Sequence, residues 1–378
     1  MGTPRVPGGL TYDRPVSRRL LVVAVALALL LAAAAPAAPA GAATRAPAGF
    51  FGVMVNGVLD APDLNLGQES ARMRADGVES ERFEIAWDLV EPQRGSYDFA
   101  ATDRKVAAAA GAGIDVLALV VRAPAWAARA PGNPFSPPRD NADYAAFLRT
   151  LIGRYGPHGS FWAQNPSVPE HPVREWQIWN EPNLPDYFAQ QPFAKPYARL
   201  LAAAYTAVKV SDAGARVVMA GLANFSWRDL GTLYGAGIPL RFDVAAVHPF
   251  SGRPSNSVKI TRLNRQVLDA HGDRRKPIWL TELTWSSAKG KKQPLTQDWE
   301  TTEAGQAQRL QSAYRDYMAA RKSLRLDRIF WYTWATVDRG SPNSFDYSGL
   351  RTRRADGTLA DKPALAAFRA AARRYGAR

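Results

Sequence analysis

From Phe50 onward, short apolar runs alternate with Ala-rich amphipathic segments, and the order repeats to the end of the chain. Neighbouring parallel strands need a crossover connection, usually a helix, so this alternation predicts a parallel sheet wrapped by helices. The strand candidates are Phe51 to Val55, Val78 to Ile85, Asp115 to Val121, Arg174 to Trp179, Arg216 to Ala220, Val244 to Val247, Ile278 to Thr281 and Ile329 to Thr333. Between them, Thr102 to Gly111, Ala142 to Arg154, Pro196 to Asp212, Ser257 to Ala270 and Thr302 to Arg321 carry apolar residues at helical spacing. Eight strands are what a closed barrel requires. The predicted fold class is therefore α/β, a (β/α)8 or TIM barrel, as one catalytic domain over residues 44–378. That length exceeds the ~250 residues of a minimal barrel but lies within the range reached by inserted loops. The longest insertion, Gly156 to Pro172, carries Phe161 and Trp162, which either stack on a ligand ring or cap the barrel wall.

Residues 1–43 read differently. Leu20 to Ala35 is an unbroken Leu/Val/Ala run behind Arg18 and Arg19, and Ala38, Ala40 and Ala43 follow with the small-residue spacing of a cleavage site. We expect a secretory signal peptide cleaved near Ala43, with an uncleaved membrane anchor as the alternative, and hence a secreted or cell-surface protein. Met1 to Val16 has no targeting character of its own.

The chain has no cysteine, which excludes disulfides, thiol nucleophiles and cysteine metal clusters. Only four histidines occur, His158, His171, His248 and His271, without the His-x-x-x-His or His-x-His spacing of a ligand pair. No metal and no cofactor is expected. The net charge of +14 favours an anionic polymer through steering, although arginines such as Arg309, Arg315, Arg321, Arg325 and Arg328 read as solvated helix faces. No basic run is interleaved with aromatics, so nucleic acid is not an expected partner.

Two glutamates end apolar runs: Glu181 in Glu175-Trp-Gln-Ile-Trp-Asn-Glu-Pro-Asn183 and Glu282 in Pro277-Ile-Trp-Leu-Thr-Glu-Leu-Thr-Trp285. Carboxylates at the C-terminal ends of two barrel strands can converge on one bond, which points to glycoside cleavage. These two segments resemble the fourth- and seventh-strand signatures of clan A glycoside hydrolases, with families 39 and 5 looking closest. The resemblance runs from about Phe50 to the end, where Tyr347-Ser-Gly-Leu350, Asp356-Gly357 and Lys362-Pro-Ala-Leu365 are similar to the close of many such barrels.

It implies a retaining hydrolase with Glu181 as acid/base and Glu282 as nucleophile. Asn180 would bind the sugar 2-hydroxyl, Arg82 would support the nucleophile, and His248 would line the site. One aromatic of the eighth strand, Trp334 in preference to Trp331, would floor the cleavage subsite. Trp126 and Trp285 are further platform candidates, and Asn56 and Asn224 are candidate polar contacts. The sequence departs from the family at Phe250, where many relatives carry a tyrosine whose hydroxyl touches the nucleophile. The expected partner is a carbohydrate, in endo or exo mode. The rival readings are a glycan-binding protein on a catalytically decayed barrel, a metal-dependent hydrolase and a structural envelope protein.

Overall fold

The computed structural model describes residues 45–296 and 298–377. The expected export segment over residues 1–43 lies outside them. Among the described residues no helix is long and apolar enough to cross a membrane.

Eight parallel strands form the centre: β1 (Phe51–Met54), β2 (Ser80–Ala86), β3 (Asp115–Val121), β4 (Glu175–Ile178), β5 (Arg216–Met219), β6 (Ala245–Val247), β7 (Ile278–Leu283) and β8 (Leu326–Trp331). Their order is β5-β4-β3-β2-β1-β8-β7-β6. Isolated bridges from Val218 to Val244 and from Leu222 to Val247 close the remaining seam, so the sheet is a (β/α)8 barrel. Each strand stands where an apolar run predicted one, because strands covered on both faces need apolar residues on both. In β3, Asp-Val-Leu-Ala-Leu-Val-Val, all but the first residue are buried.

The surrounding helices are α1 (Leu66–Ala75), α2 (Ala100–Ala112), α3 (Asn141–Tyr155), α4 (Ala194–Ser211), α5 (Ser226–Tyr234), α6 (Pro254–Ala270), α7 (Glu303–Leu324) and α8 (Pro363–Tyr375). In α3 the buried face is Tyr144, Phe147, Leu148, Leu151, Ile152 and Tyr155, a 3.6-residue stripe. Asp140 caps its start by accepting a hydrogen bond from the Ala142 amide at 2.9 Å. Helix α6 begins three residues before the expected start because Pro254 fits a first turn, where an N–H has no intrahelical partner. Helices α1 and α5 were not foreseen. α1 is largely polar, and α5 spans only nine residues.

Of the two expectations for the aromatics of the 156–172 insertion, the structure agrees with packing against the barrel wall. Phe161 and Trp162 lie in a single helical turn, Ser160–Gln164, and both are buried. Trp162 Nε1 donates to Gly156 O at 2.9 Å, and the Phe161 ring packs on that of Tyr155. A segment that leads into a strand meets the barrel at its N-terminal end, opposite the ends of the strands that carry chemistry. That end is closed by Arg328, which pairs with Glu175 and with Asp115 and lies 4.6 Å from the Trp279 ring centroid.

At the other end a small sheet, β9 (Ala335–Thr336), β10 (Arg351–Arg353) and β11 (Leu359–Asp361), follows β8. Buried Lys362 donates to Asp338 Oδ2 (2.6 Å), Ser287 Oγ (2.8 Å) and Tyr347 O (3.0 Å), tying the loops after β7 and β8 to the start of α8.

Candidate active site

The cavity at the C-terminal ends of the strands has a volume of about 310 Å³ and is lined by Asn180, Glu181 and Glu282, with Asn56, Asn224 and Phe250. This is near the lower bound of ligand pockets, which run from roughly 300 to 1,000 Å³. An oxygen of each glutamate and a ring nitrogen of His248 all lie within 4.8 Å of one another.

Arg82, fully buried inside the barrel, organises the floor of this cavity. Its Nη1 donates to Glu282 Oε1 at 2.8 Å and its Nη2 to Asn180 Oδ1 at 2.9 Å. Its Nε donates to Gln177 Oε1 at 2.6 Å. A guanidinium cannot accept, so these contacts fix which end of each amide faces it. Asn180 consequently presents Nδ2, a donor, to the cavity it lines. Gln177 turns its Nε2 towards Met219 O (3.2 Å) and Thr281 Oγ1 (3.3 Å).

The same logic sets the histidine. Burial holds the His248 ring down at about 4, so it is neutral at neutral pH and carries one N–H. Thr281 Oγ1 accepts from Gln177 and has its own hydrogen to give to His248 Nε2, 2.9 Å away. Assigned in this way, the imidazole proton sits on Nδ1 and faces Glu181 Oε1 at 2.7 Å. Burial pushes Glu181 up to about 7, against a smaller opposing effect of Arg82, so this carboxyl keeps a proton in mildly acidic solution. With Oε1 occupied as an acceptor, the proton belongs on Oε2.

Backbone geometry places these groups. At the end of β4, Trp179 (φ 69°) and Glu181 (φ 40°) are both left-handed, and such residues cost about 1–3 kcal/mol each. The Glu181 amide donates to Gly221 O at 3.1 Å, drawing the acid towards the end of β5. Gly221 lies so close to the imidazole that a Cβ there would stand 2.0 Å from His248 Nε2.

The structure thus brings together Glu181, Glu282, Asn180, Arg82 and His248, with Asn56 and Asn224 on the wall. It does not bring the tryptophans there. Trp331 is buried and donates to Ser348 O at 3.0 Å, because the two-residue alternation of β8 turns it outward and the following Tyr332 inward. Trp334, also buried, donates to Glu69 Oε2 at 3.0 Å. Trp285 is buried and donates to Ser251 O at 2.6 Å. Trp126 donates to Glu91 O at 3.0 Å and packs edge-on against Trp87, beneath Arg94.

The aromatic lining is instead Phe135, Tyr187, Phe250, Tyr332 and Phe345. Burial, and then the negative field of Glu282, push the Tyr332 hydroxyl up. Tyr332 therefore brings a phenol to the cavity that Glu282 and Phe250 also line, although among the described residues Arg82 alone donates a hydrogen bond to Glu282. Sequence reasoning missed Gln177, Thr281, Gly221 and Tyr332. Gln177 carried a usable signal, since it stands two residues after Glu175 on one face of β4.

No protein-family model and no curated protein sequence matches the chain. Solved structures do. A family 39 glycoside hydrolase from Bacteroides cellulosilyticus is 21% identical with a TM-score of 0.63, over 87% of this chain and 64% of that one. A monomeric β-xylosidase from Caulobacter crescentus is 20% identical with a TM-score of 0.60, over 87% and 69%. An exo-β-1,4-mannosidase from an Opitutaceae bacterium is 16% identical with a TM-score of 0.59, over 88% and 61%. The chain therefore spans less than two thirds of the first and third of these. At such identities the likeness is one of fold.

Proposed function

We propose that the chain is a retaining O-glycoside hydrolase of the clan A type, similar to families 39 and 5, with Glu181 as acid/base and Glu282 as nucleophile. The observation that carries this reading is the spacing of the two glutamates, with facing atoms within 4.8 Å. Double displacement needs carboxyl groups about 5–5.5 Å apart, whereas an inverting site leaves roughly 6.5–9.5 Å for a water.

In the first step a Glu282 oxygen bonds to the anomeric carbon while the glycosidic C–O bond breaks and the departing oxygen takes the proton from Glu181 Oε2. Glu181, now a carboxylate, then removes a proton from water, whose oxygen attacks the anomeric carbon and releases Glu282. His248, neutral and donating through Nδ1, steadies Glu181 in both states. Asn180 Nδ2 is placed to donate to a hydroxyl of the sugar at the reacting carbon, a contact able to strengthen as the ring flattens.

The substrate proposed is a β-linked poly- or oligosaccharide met outside the cell. The export segment expected over residues 1–43 supports this location as a proposal, and the charge of +14 favours an anionic polymer. The named activities of the similar structures, on xylosides and mannosides, set the first panel. The test is reducing-end release from β-linked xylo-, manno- and gluco-oligosaccharides and their aryl glycosides, with Glu282→Ala assayed with and without azide. Loss of turnover and rescue as an inverted glycosyl azide is the expected result. Equal activity of variant and wild type would remove Glu282 from the mechanism. Binding without turnover by the wild type would favour the decayed-barrel reading.

A further inference from the structure

We infer that the segment Asn224 to Arg228, the end of the loop after β5 and the first turn of α5, carries a stacking subsite for a sugar on the leaving-group side of the scissile bond, so that the substrate is an oligo- or polysaccharide rather than a glycoside of a small alcohol. This rests on the glycosidase reading for the direction in which the chain is laid, and on three observations for the site itself.

First, Phe225 is 58% exposed, whereas the neighbouring Ser226 is fully buried. An exposed phenyl ring forgoes burial worth about 25 cal/mol per Å² of apolar surface, so it is an unfavourable choice for a loop that serves only as a connection. Secondly, the ring is held as part of a group. It meets Trp227 edge-on, with centroids 5.5 Å apart and planes at 79°, and the Arg228 guanidinium lies 4.9 Å from its centroid. An aromatic face beside a cationic donor suits a sugar, which offers C–H faces to the ring and hydroxyls, or a carboxylate, to the guanidinium.

Thirdly, the loop is continuous with the catalytic cavity and fastened to the acid. Asn224, in the left-handed region at φ 55°, lines the cavity one residue before Phe225. Asn183, the last residue of the Asn-Glu-Pro-Asn motif that contains Glu181, donates from Nδ2 to Asp229 Oδ2 at 2.8 Å and to Ala223 O at 3.1 Å. The acid must reach the departing oxygen, so the departing sugar lies on the Glu181 side, where this loop is tied.

Phe225→Ala and Phe225→Tyr test the assignment on matched substrates of one sugar, the aryl glycoside and its β-linked oligosaccharides of two to six units. We expect kcat/KM of Phe225→Ala to stay within about twofold of wild type on the aryl glycoside and to fall about tenfold on the oligosaccharides, the scale of one aromatic stacking contact. Phe225→Tyr should restore it. Equal losses on both substrate types would assign Phe225 a structural role and overturn the subsite, as would no loss on either.

Oligosaccharide affinity measured in the Glu282→Ala background separates this inference from its premise. A drop of about tenfold with Phe225→Ala, in a protein whose wild type turns nothing over, would keep the sugar platform and remove the hydrolase. Wild-type turnover with affinity indifferent to Phe225 would keep the hydrolase and remove the platform.

Discussion

The proton on Glu181 is the most exposed point of the proposed mechanism, and Glu181→Ala tests it quantitatively. Burial raises this carboxyl from an ordinary value of 4.5 to about 7. The difference corresponds to roughly 3 kcal/mol against ionisation. At pH 6 about nine in ten molecules then hold the proton, where an unperturbed glutamate would hold it in about one in thirty. Wild-type kcat/KM should therefore fall on an alkaline limb centred near 7.

The assay is kcat/KM from pH 4 to 9 on two aryl glycosides of one sugar, a phenyl glycoside that needs protonation to depart and a dinitrophenyl glycoside that does not. Glu181→Ala should lose about 10²–10⁴-fold on the first, the range of general acid catalysis, and far less on the second. Its alkaline limb should disappear. Azide should accelerate the variant and give a glycosyl azide of retained configuration, since Glu282 still forms the covalent intermediate. Equal losses on both glycosides, or an alkaline limb that survives in the variant, would refute the assignment of the proton to Glu181.

Three further outcomes follow from the same geometry. Gly221→Ala should displace the imidazole, since its Cβ would stand 2.0 Å from His248 Nε2, and kcat/KM should fall by at least about 10²-fold while circular dichroism stays that of a folded barrel; near-wild-type activity would contradict the packing described. Thr281→Val keeps the shape but removes the hydroxyl that donates to His248 Nε2, so kcat should drop about tenfold with KM little changed, and histidine NMR should show the ring losing its single tautomer. Glu81 is buried with one carboxyl oxygen unpaired, and burial pushes it up to about 8. Below its ordinary 4.5 both folded and unfolded chains hold the proton; between 4.5 and 8 only the folded chain does, so wild-type stability falls by about 1.4 kcal/mol per pH unit across that window. Glu81→Gln should therefore gain on the wild type as pH rises from 5 to 7.5 in thermal melts, and a constant gap would show that Glu81 does not titrate this way.

The barrel was legible in the chain because each strand is covered on both faces and must be apolar throughout, which leaves a run the eye can find. The glutamates were legible because each interrupts or ends such a run. The supporting shell was not. Gln177 and Thr281 lie within strands whose apolar neighbours hide them, and their roles exist only because Arg82 crosses the barrel to meet β4 and β7. The tryptophans misled for a related reason. A large aromatic at a strand end satisfies both a ligand face and the layer between sheet and helices, and only the side-chain alternation at Trp331 and Tyr332 separates the two. Aromatic content alone left ligand stacking and wall packing open at Phe161 and Trp162, whereas the direction of the chain into β4 already pointed away from the C-terminal ends of the strands.

Arg82 touches Met54 on β1, Gln177 on β4, Asn180 beyond β4 and Glu282 on β7, so one side chain acts as a hub whose spokes reach three strands besides its own. The Glu282 carboxylate and the Asn180 amide are thereby braced by the wall of the barrel. Phe135, Tyr187, Asn224 and Phe345 reach the cavity from connecting segments. The groups that Arg82 braces and the outer lining of the cavity thus belong to different parts of the fold, the first on or next to strands and the second on their connections. If the proposed function holds, exchanging or randomising those connecting segments should change the lining of the cavity while leaving the Arg82 contacts in place.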